Sequence, residues 1–265
     1  MATIDRALTD GERAAGPTHA LLHELTTARR AVERLDEDIA SARSKRTTVP
    51  RALLAVREQL AAALSLPESA LPFAAELIEV PPEHARWRGA IERVLRPFAL
   101  TLLVRSVHLK DARRWIDATQ LPTRVVFEEV SQDVSAPRPA RSHLSLLHRV
   151  TVREGAFQSW VLHRLSERFD YACVDSPDDL DAHVRAVTLK GQVKSSQTRY
   201  EKDDRLAIDD RSHWLLGDHA DRLDALVDQR VTTQRRLDEL EGQVAALERI
   251  RDEESRRRGV LETVR

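Results

Sequence analysis

The sequence predicts an α+β (mixed α/β) domain of two βαβα-like lobes, carried at the tip of an antiparallel coiled-coil hairpin. Three observations lead there. Both ends of the chain carry heptad-spaced apolar residues, whereas the middle alternates short β-rich runs with helical ones. The middle also falls into two similar halves around Pro137-Arg-Pro139.

In chain order, residues 1–16 are expected to be disordered or an artificial start, and Gly16-Pro17 to open the first arm helix, because proline is tolerated in a first turn. Leu21, Leu25, Ala28, Val32, Leu35, Ile39 and Ala42 then step by four and three among charged residues. That is a heptad seam. The arm is predicted to end at 49, and a connecting helix to open at Pro50 and run to 64 within the segment 50–69. The central domain spans 70–217, with lobes at about 70–135 and 143–217.

Strands are expected at Leu77–Val80, Ala99–Val104, Arg124–Phe127, His148–Val152, Tyr171–Val174 and Val187–Leu189, each short, bounded and rich in β-branched residues. Helices are expected at 83–96, 107–118, 156–169 and 177–185. In the first half a strand leads to a helix carrying Trp87, then Phe98 and a second strand. In the second half the same order brings Trp160 and Phe169. Two related lobes follow from that match. Finally 218–265 is the return arm, with Leu223, Leu226, Arg230, Thr233, Leu237, Leu240, Val244 and Leu247 on the complementary rhythm. A narrow apolar seam needs a partner helix, and each arm is the nearest partner for the other.

Composition agrees and excludes several classes. Of 265 residues 32% are charged and only 4% aromatic, with 8 Gly and 11 Pro, which favours long exposed helices. The net charge of −1 advertises neither a nucleic-acid nor a membrane partner. One cysteine excludes a disulfide framework and a paired-cysteine zinc site and points to the cytosol. Apolar runs are too short to span a bilayer, and the first residues lack a signal pattern, so no membrane partner is expected.

The chain lacks the parts of a catalyst. There is no G-x-x-x-x-G-K-[ST] phosphate loop, no G-x-G-x-x-G, no G-x-S-x-G and no H-E-x-x-H. Cys173 sits among apolar residues and reads as a small core residue. No catalytic residue and no metal ligand is expected. The paired acids Asp203-Asp204 and Asp209-Asp210 open a third reading, a two-metal nuclease, but Lys190, Lys194, Arg199, Lys202, Arg205 and Arg211 crowd the same segment and would neutralise them. The segment reads instead as a salt-bridged structural or interface network, with Lys194, Arg199, Glu201, Lys202, Asp203, Asp204 and Arg205 as its candidates. Arg138, Arg141 and Arg149 form a basic patch able to touch duplex DNA weakly.

The run Leu71–Val104, containing Trp87-Arg-Gly-Ala-Ile-Glu-Arg93, with Arg168–Asp175, Tyr200–Arg205 and Asp209–Ser212, resembles the hinge region of SMC-like ATPases of the MukB/MksB type. Within these it looks most like JetC, the SMC subunit of Wadjet anti-plasmid systems. The resemblance covers about 50–217. It implies a homodimer joined at the hinge, and arms leading to ATPase heads that bind a kleisin and a winged-helix subunit. It also implies DNA loop extrusion, with plasmid defence through a toprim-type nuclease or chromosome organisation as the role. ATP and Mg2+ would act at heads outside this chain, which itself is expected to need no cofactor and to be no enzyme. The expected location is cytoplasmic, on the nucleoid or on plasmids, and the chain reads as an excised hinge with arm stubs.

Overall fold

The computed structural model describes residues 2–45, 47–217 and 219–263. The chain divides into two compact units, one of residues 1–40 with 226–265 and one of residues 41–225.

The first unit is an antiparallel helix pair. Helix α1 spans Ala2–Lys45 and α6 spans His219–Thr263. Leu25, Val32, Leu237 and Leu240 form the buried seam, with Leu21, Ala28 and Val244 packed against it. Ion pairs flank it: Glu24 with Arg236 at 3.0 Å, Arg29 with Glu241 at 2.8 Å and Asp36 with Arg230 at 3.0 Å. Asp36, late in α1, meets the early Arg230 of α6, whereas Glu24 and Arg29 meet the later Arg236 and Glu241, as an antiparallel pair requires. Arg230, a polar break in the predicted heptads, is thus accounted for: its guanidinium spans to the Asp36 carboxylate, which raises its pKa further. Helix α1 is already helical at Ala2, upstream of the start expected at Gly16-Pro17. A proline inside a helix loses one hydrogen bond at a cost of about 3 kcal/mol, but its φ near −65° still fits the helix. Met1 lies outside the described residues.

The second unit holds the mixed α+β domain. Helix α2, Arg51–Ala63, buries Leu53, Leu54, Val56, Leu60 and Ala61. It stops at Ser65, which takes φ +55°, while Leu66 N–H reaches back 2.9 Å to the Ala61 carbonyl. A serine here fills the left-handed place that glycine usually takes after a helix.

The first lobe follows: strand β1 (Ile78–Glu79), a 3-10 segment Pro82–Trp87 running into α3 (Arg88–Ala99), strand β2 (Thr101–Arg105), helix α4 (Ser106–Ala118) and strand β3 (Val126–Val130). β2 and β3 pair in parallel with Leu102 opposite Phe127. The second lobe has strand β4 (Thr151–Val152), α5 (Gln158–Arg168), β5 (Ala172–Val174), a 3-10 segment Pro177–Ala182 and β6 (Ala186–Thr188), with β5 and β6 again parallel. The last two strands, β7 (Gln192–Lys194) and β8 (Tyr200–Lys202), extend that sheet antiparallel in the order β5-β6-β7-β8.

The repeat is visible in detail. β1 and β4, the first strands of the two lobes, pair with each other, Ile78 opposite Val152. Leu103 N–H donates to the Pro72 carbonyl and Cys173 N–H to the Leu144 carbonyl, both at 2.9 Å, so the segment before each first strand crosses the second strand in the same way. One apolar core spans both lobes, containing Phe73, Ile91, Leu95, Phe98, Leu102, Leu103, Trp160, Leu165 and Phe169.

Four expectations need correction. The third strand begins two residues later than read, at Val126, because the pairing partner Thr101 sets the register. Leu146–Arg149 is a 3-10 turn capped by Ser145, leaving only Thr151–Val152 extended. The segment 177–185 is a 3-10 turn started by Ser176 and Pro177. Strands β7 and β8 lie inside the charged segment, where no strand was expected; three-residue strands rich in Lys, Gln and Glu carry no apolar alternation to reveal them.

Candidate functional site: two open sheet edges and the arm root

The chain enters the mixed domain at Thr47-Thr48 and leaves it at Leu215–Gly217. Helix α3 grips the exit. Its polar face presents Arg88, Glu92 and Arg96, spaced four apart and therefore on one side, with Arg93 next to Glu92 and three before Arg96. The Glu92 carboxylate, 4% exposed, accepts from Leu215 N–H at 2.9 Å and Leu216 N–H at 2.7 Å. Arg88 donates to the Leu216 carbonyl, Arg96 to the His213 carbonyl and Arg93 to the Leu206 carbonyl, each at 2.8 Å. Burial pushes the Glu92 carboxyl up to about 7, against the opposing pull of the two N–H groups and of Arg88 and Arg96. Gly89 lets the return segment lie flat on α3: a Cβ there would sit 2.1 Å from the Ile208 carbonyl oxygen. Arg88 also covers the Trp214 ring, 4.5 Å from its centroid.

The entrance is tied to the exit. Thr48 Oγ1 donates to the Leu215 carbonyl, and Arg222, in the first turns of α6, donates to the Thr48 carbonyl and, at 3.1 Å, to that of Ser212. Thr47 Oγ1 donates to Glu76 at 3.1 Å. Glu76 also binds the buried Arg57 guanidinium through both oxygens at 2.9 and 2.7 Å, and Arg57 holds Glu68 at 3.0 Å. Both arm roots are therefore wired by side chains into the domain's polar interior. Sequence singled out none of these residues as a site residue, although Arg88, Glu92 and Arg93 lie in the Trp87–Arg93 string that carries the resemblance. The one available signal is the 88/92/96 spacing of charges opposite the apolar face of α3.

The predicted network residues separate. Lys194, on β7, is 4% exposed; its ammonium donates to the Leu180 carbonyl at 3.0 Å and lies 3.5 Å from Asp181. It is an interior strut rather than a rim residue. Arg199 lies exposed in the β7–β8 turn, where its carbonyl accepts from Ser195 N–H at 2.9 Å. Glu201 and Lys202 are exposed on β8. Asp203 and Arg205 form a local two-point pair at 2.9 and 2.6 Å, and the Arg205 hydrogen bonds hold the Asp203 carboxyl below the usual carboxylate range. Lys202 and, at 3.3 Å, Arg93 hold Asp204, whose pKa is likewise lowered, Lys202 contributing most. Asp210 accepts from Ser212 N–H and hydroxyl at 3.0 and 2.6 Å and lies 2.8 Å from His213 Nδ1, so it caps a turn. Among the described residues no three His, Cys, Asp or Glu side chains are placed to hold a metal ion. Cys173 is buried, and burial pushes its thiol up to about 12.

The basic patch also divides. Arg138 and Arg141 are exposed on the loop between lobes, whose backbone is pinned by Ser166 Oγ at 2.9 Å and by Asp170 at 3.0 Å. Arg149 instead turns inward, donating to the Ser145 carbonyl at 3.3 Å with its guanidinium 5.5 Å from the Trp87 ring centre.

The parallel-strand sheet of each lobe keeps one outer edge open. β8 pairs only with β7, and β3 only with β2, among the described residues. The Ser195–Arg199 bond fixes the alternation of the β7–β8 ladder. By that alternation Glu201 faces β7, whereas the backbone groups of Tyr200 and Lys202 point to the free side. Tyr200 is 45% exposed and Val126, at the start of β3, 37%. Unpaired edges of this kind are templates for another chain.

Comparisons with known proteins return structures only: no family model and no curated protein matches the chain. The chain is similar to the Pyrococcus furiosus Smc hinge domain with an extended coiled coil, at 17% identity over 95% of this chain and 93% of that one, with a TM-score of 0.42. It is similar to the Geobacillus stearothermophilus SMC hinge domain, solved as an asymmetric dimer, at 18% identity over 93% and 99%, with a TM-score of 0.46. The S. pombe Smc5/6 hinge domain matches at 16% identity over 76% and 87%, with a TM-score of 0.39. Among the described residues, no helix is long and apolar enough to cross a membrane.

Proposed function

We propose that the chain is the dimerisation hinge, with arm stubs, of an SMC-like condensin ATPase. The observation that carries this reading is the pair of open edges, β3 in one lobe and β8 in the other, in a domain entered and left through two helices that pair with each other. A two-fold dimer uses both edges twice, β3 of each protomer against β8 of its partner, and leaves neither of these two edges exposed. The charge-wired arm roots suit a part that transmits force. The long sequence string from Leu71 to Val104 supports the same family.

Within that reading the whole protein binds ATP and Mg2+ at heads outside this chain, associates with a kleisin, a winged-helix subunit and a toprim-type nuclease, and acts in loop extrusion for plasmid defence or chromosome organisation. Static light scattering tests the hinge: the expected mass is twice 30.0 kDa. Tyr200→Pro removes an outward donor without touching the β7 ladder and should yield a folded monomer. A wild-type monomer at high micromolar concentration would overturn the reading.

A second reading, direct contact with duplex DNA, rests on Arg138 and Arg141, both exposed on an anchored loop. Binding that falls steeply with salt and is lost in Arg138→Glu/Arg141→Glu supports it; no retention at low salt removes it.

A further inference from the structure

The two lobes repeat one motif with opposite charge. In each, two parallel strands are joined by a crossover, α4 between β2 and β3 and the 3-10 turn between β5 and β6. The first crossover is basic on balance: Lys110, Arg113 and Arg114, against the single acid Asp117, line an open cleft of about 720 Å3 that Leu109, Ile116 and Phe127 also line. Lys110 and Arg113 form no ion pair among the described residues, and Arg114 only a loose 3.6 Å one with Asp111. The second crossover is acidic: Asp175, Asp178, Asp179 and Asp181 are all exposed. Each flanks an open edge. Phe127 in the cleft belongs to β3, and Asp181 accepts a 2.9 Å hydrogen bond from the hydroxyl of Tyr200 on β8.

We infer that the α4 cleft of one protomer receives the acidic 175–181 turn of a second copy, and that this contact sets how the two hinges join. The inference rests on the hinge reading above and adds the residues and the direction of pairing. Crossovers between parallel strands are right-handed. If β3 pairs antiparallel with the partner's β8, that handedness brings α4 and the partner's acidic turn to the same face of the joined sheet. If it pairs parallel, they fall on opposite faces. Charge attraction therefore selects the antiparallel register of β3 with β8, and like charges penalise pairing of like edges, β3 with β3 or β8 with β8, which would bring α4 against α4 or acid against acid. The cleft's apolar floor lies open to the same occupant; Val107, on the same helix, is 71% exposed.

The test is a charge-swap in solution. Arg113→Glu/Arg114→Glu and Asp175→Lys/Asp178→Lys alter exposed side chains; the carboxylate of Asp178 caps nothing, and Asp175 holds only an exposed pair with Arg86. Sedimentation equilibrium of the full chain should show dimers that weaken with salt. Each variant alone should weaken self-association by about tenfold or more. Mixing the two variants should restore a heterodimer, because one of its α4–turn contacts keeps the wild-type charges and the other sets an acidic α4 against a turn that carries two new lysines and only two of its four acids. A wild-type dimer that neither variant weakens, or a mixture that does not recover, overturns the inference while leaving the hinge standing. A wild-type monomer overturns both. Loss of duplex DNA binding in Arg113→Glu/Arg114→Glu with an unchanged dimer assigns the cleft to nucleic acid and also overturns it.

Discussion

The rings of Phe98 and Phe169 lie 5.3 Å apart between centroids and are tilted by 31°, and Phe98 also meets Trp160 at 6.3 Å. The two phenylalanines occupy the same place in the two lobes, just before the second strand of each. Their contact makes one core of what reads in sequence as two halves. Phe98 is 2% exposed and Phe169 8%. Phe98→Ala should cost about 3–5 kcal/mol by urea unfolding, with a single transition for both lobes. Two separable transitions would show that the lobes fold independently.

Gly89 sits inside α3, where glycine to alanine normally stabilises by up to about 1 kcal/mol. Here the sign should reverse, because the new methyl meets the Ile208 carbonyl, a backbone atom that moves only if the return segment lifts. Gly89→Ala should lower the melting temperature and raise amide exchange across 206–216.

Glu92 carries a pH signature. Its carboxyl is raised from 4.5 to about 7 in the folded chain, so between those values the native state holds more protons than the unfolded one. The stability this contributes is full below pH 4.5 and is lost as pH rises through about 7, to a total of a few kcal/mol at most. Glu92→Gln should flatten that slope in urea midpoints measured against pH. It should also cost about 1–3 kcal/mol, since an amide cannot accept well from both Leu215 and Leu216.

Arg57 is 7% exposed and bridges Glu76 and Glu68. Arg57→Ala leaves Glu76 without its main counter-charge and should destabilise by about 3–5 kcal/mol. Arg57→Met, which keeps the volume, tests how much of that loss is packing, and the comparison reads directly in denaturant midpoints.

Periodicity made much of this architecture legible. The seam residues Leu25, Val32, Leu237 and Leu240 are buried as their spacing requires, since a heptad stripe has one physical use. The apolar strands β2, β5 and β6 and the Trp/Phe repeat of the lobes could be read for the same reason: burial selects residue type locally. The β7–β8 hairpin could not, because its strands are short and polar and owe their existence to the β6 edge.

The candidate site shows the same division. Sequence marked 194–205 as a dense charged segment, and only the fold could send Lys194 inside, leave Glu201 and Lys202 on an edge, and lock Asp203 to Arg205. Arg149 read as a surface cation until the position of Trp87 turned it inward. The sequence by itself determined the two arms, the duplicated α+β middle and the lack of catalytic motifs. The tertiary structure alone decided which edges stay open and which charges are spent. Apolar periodicity is a property of neighbours along the chain, whereas a hydrogen bond such as Glu92 to Leu215 joins residues far apart in sequence, which only packing brings together.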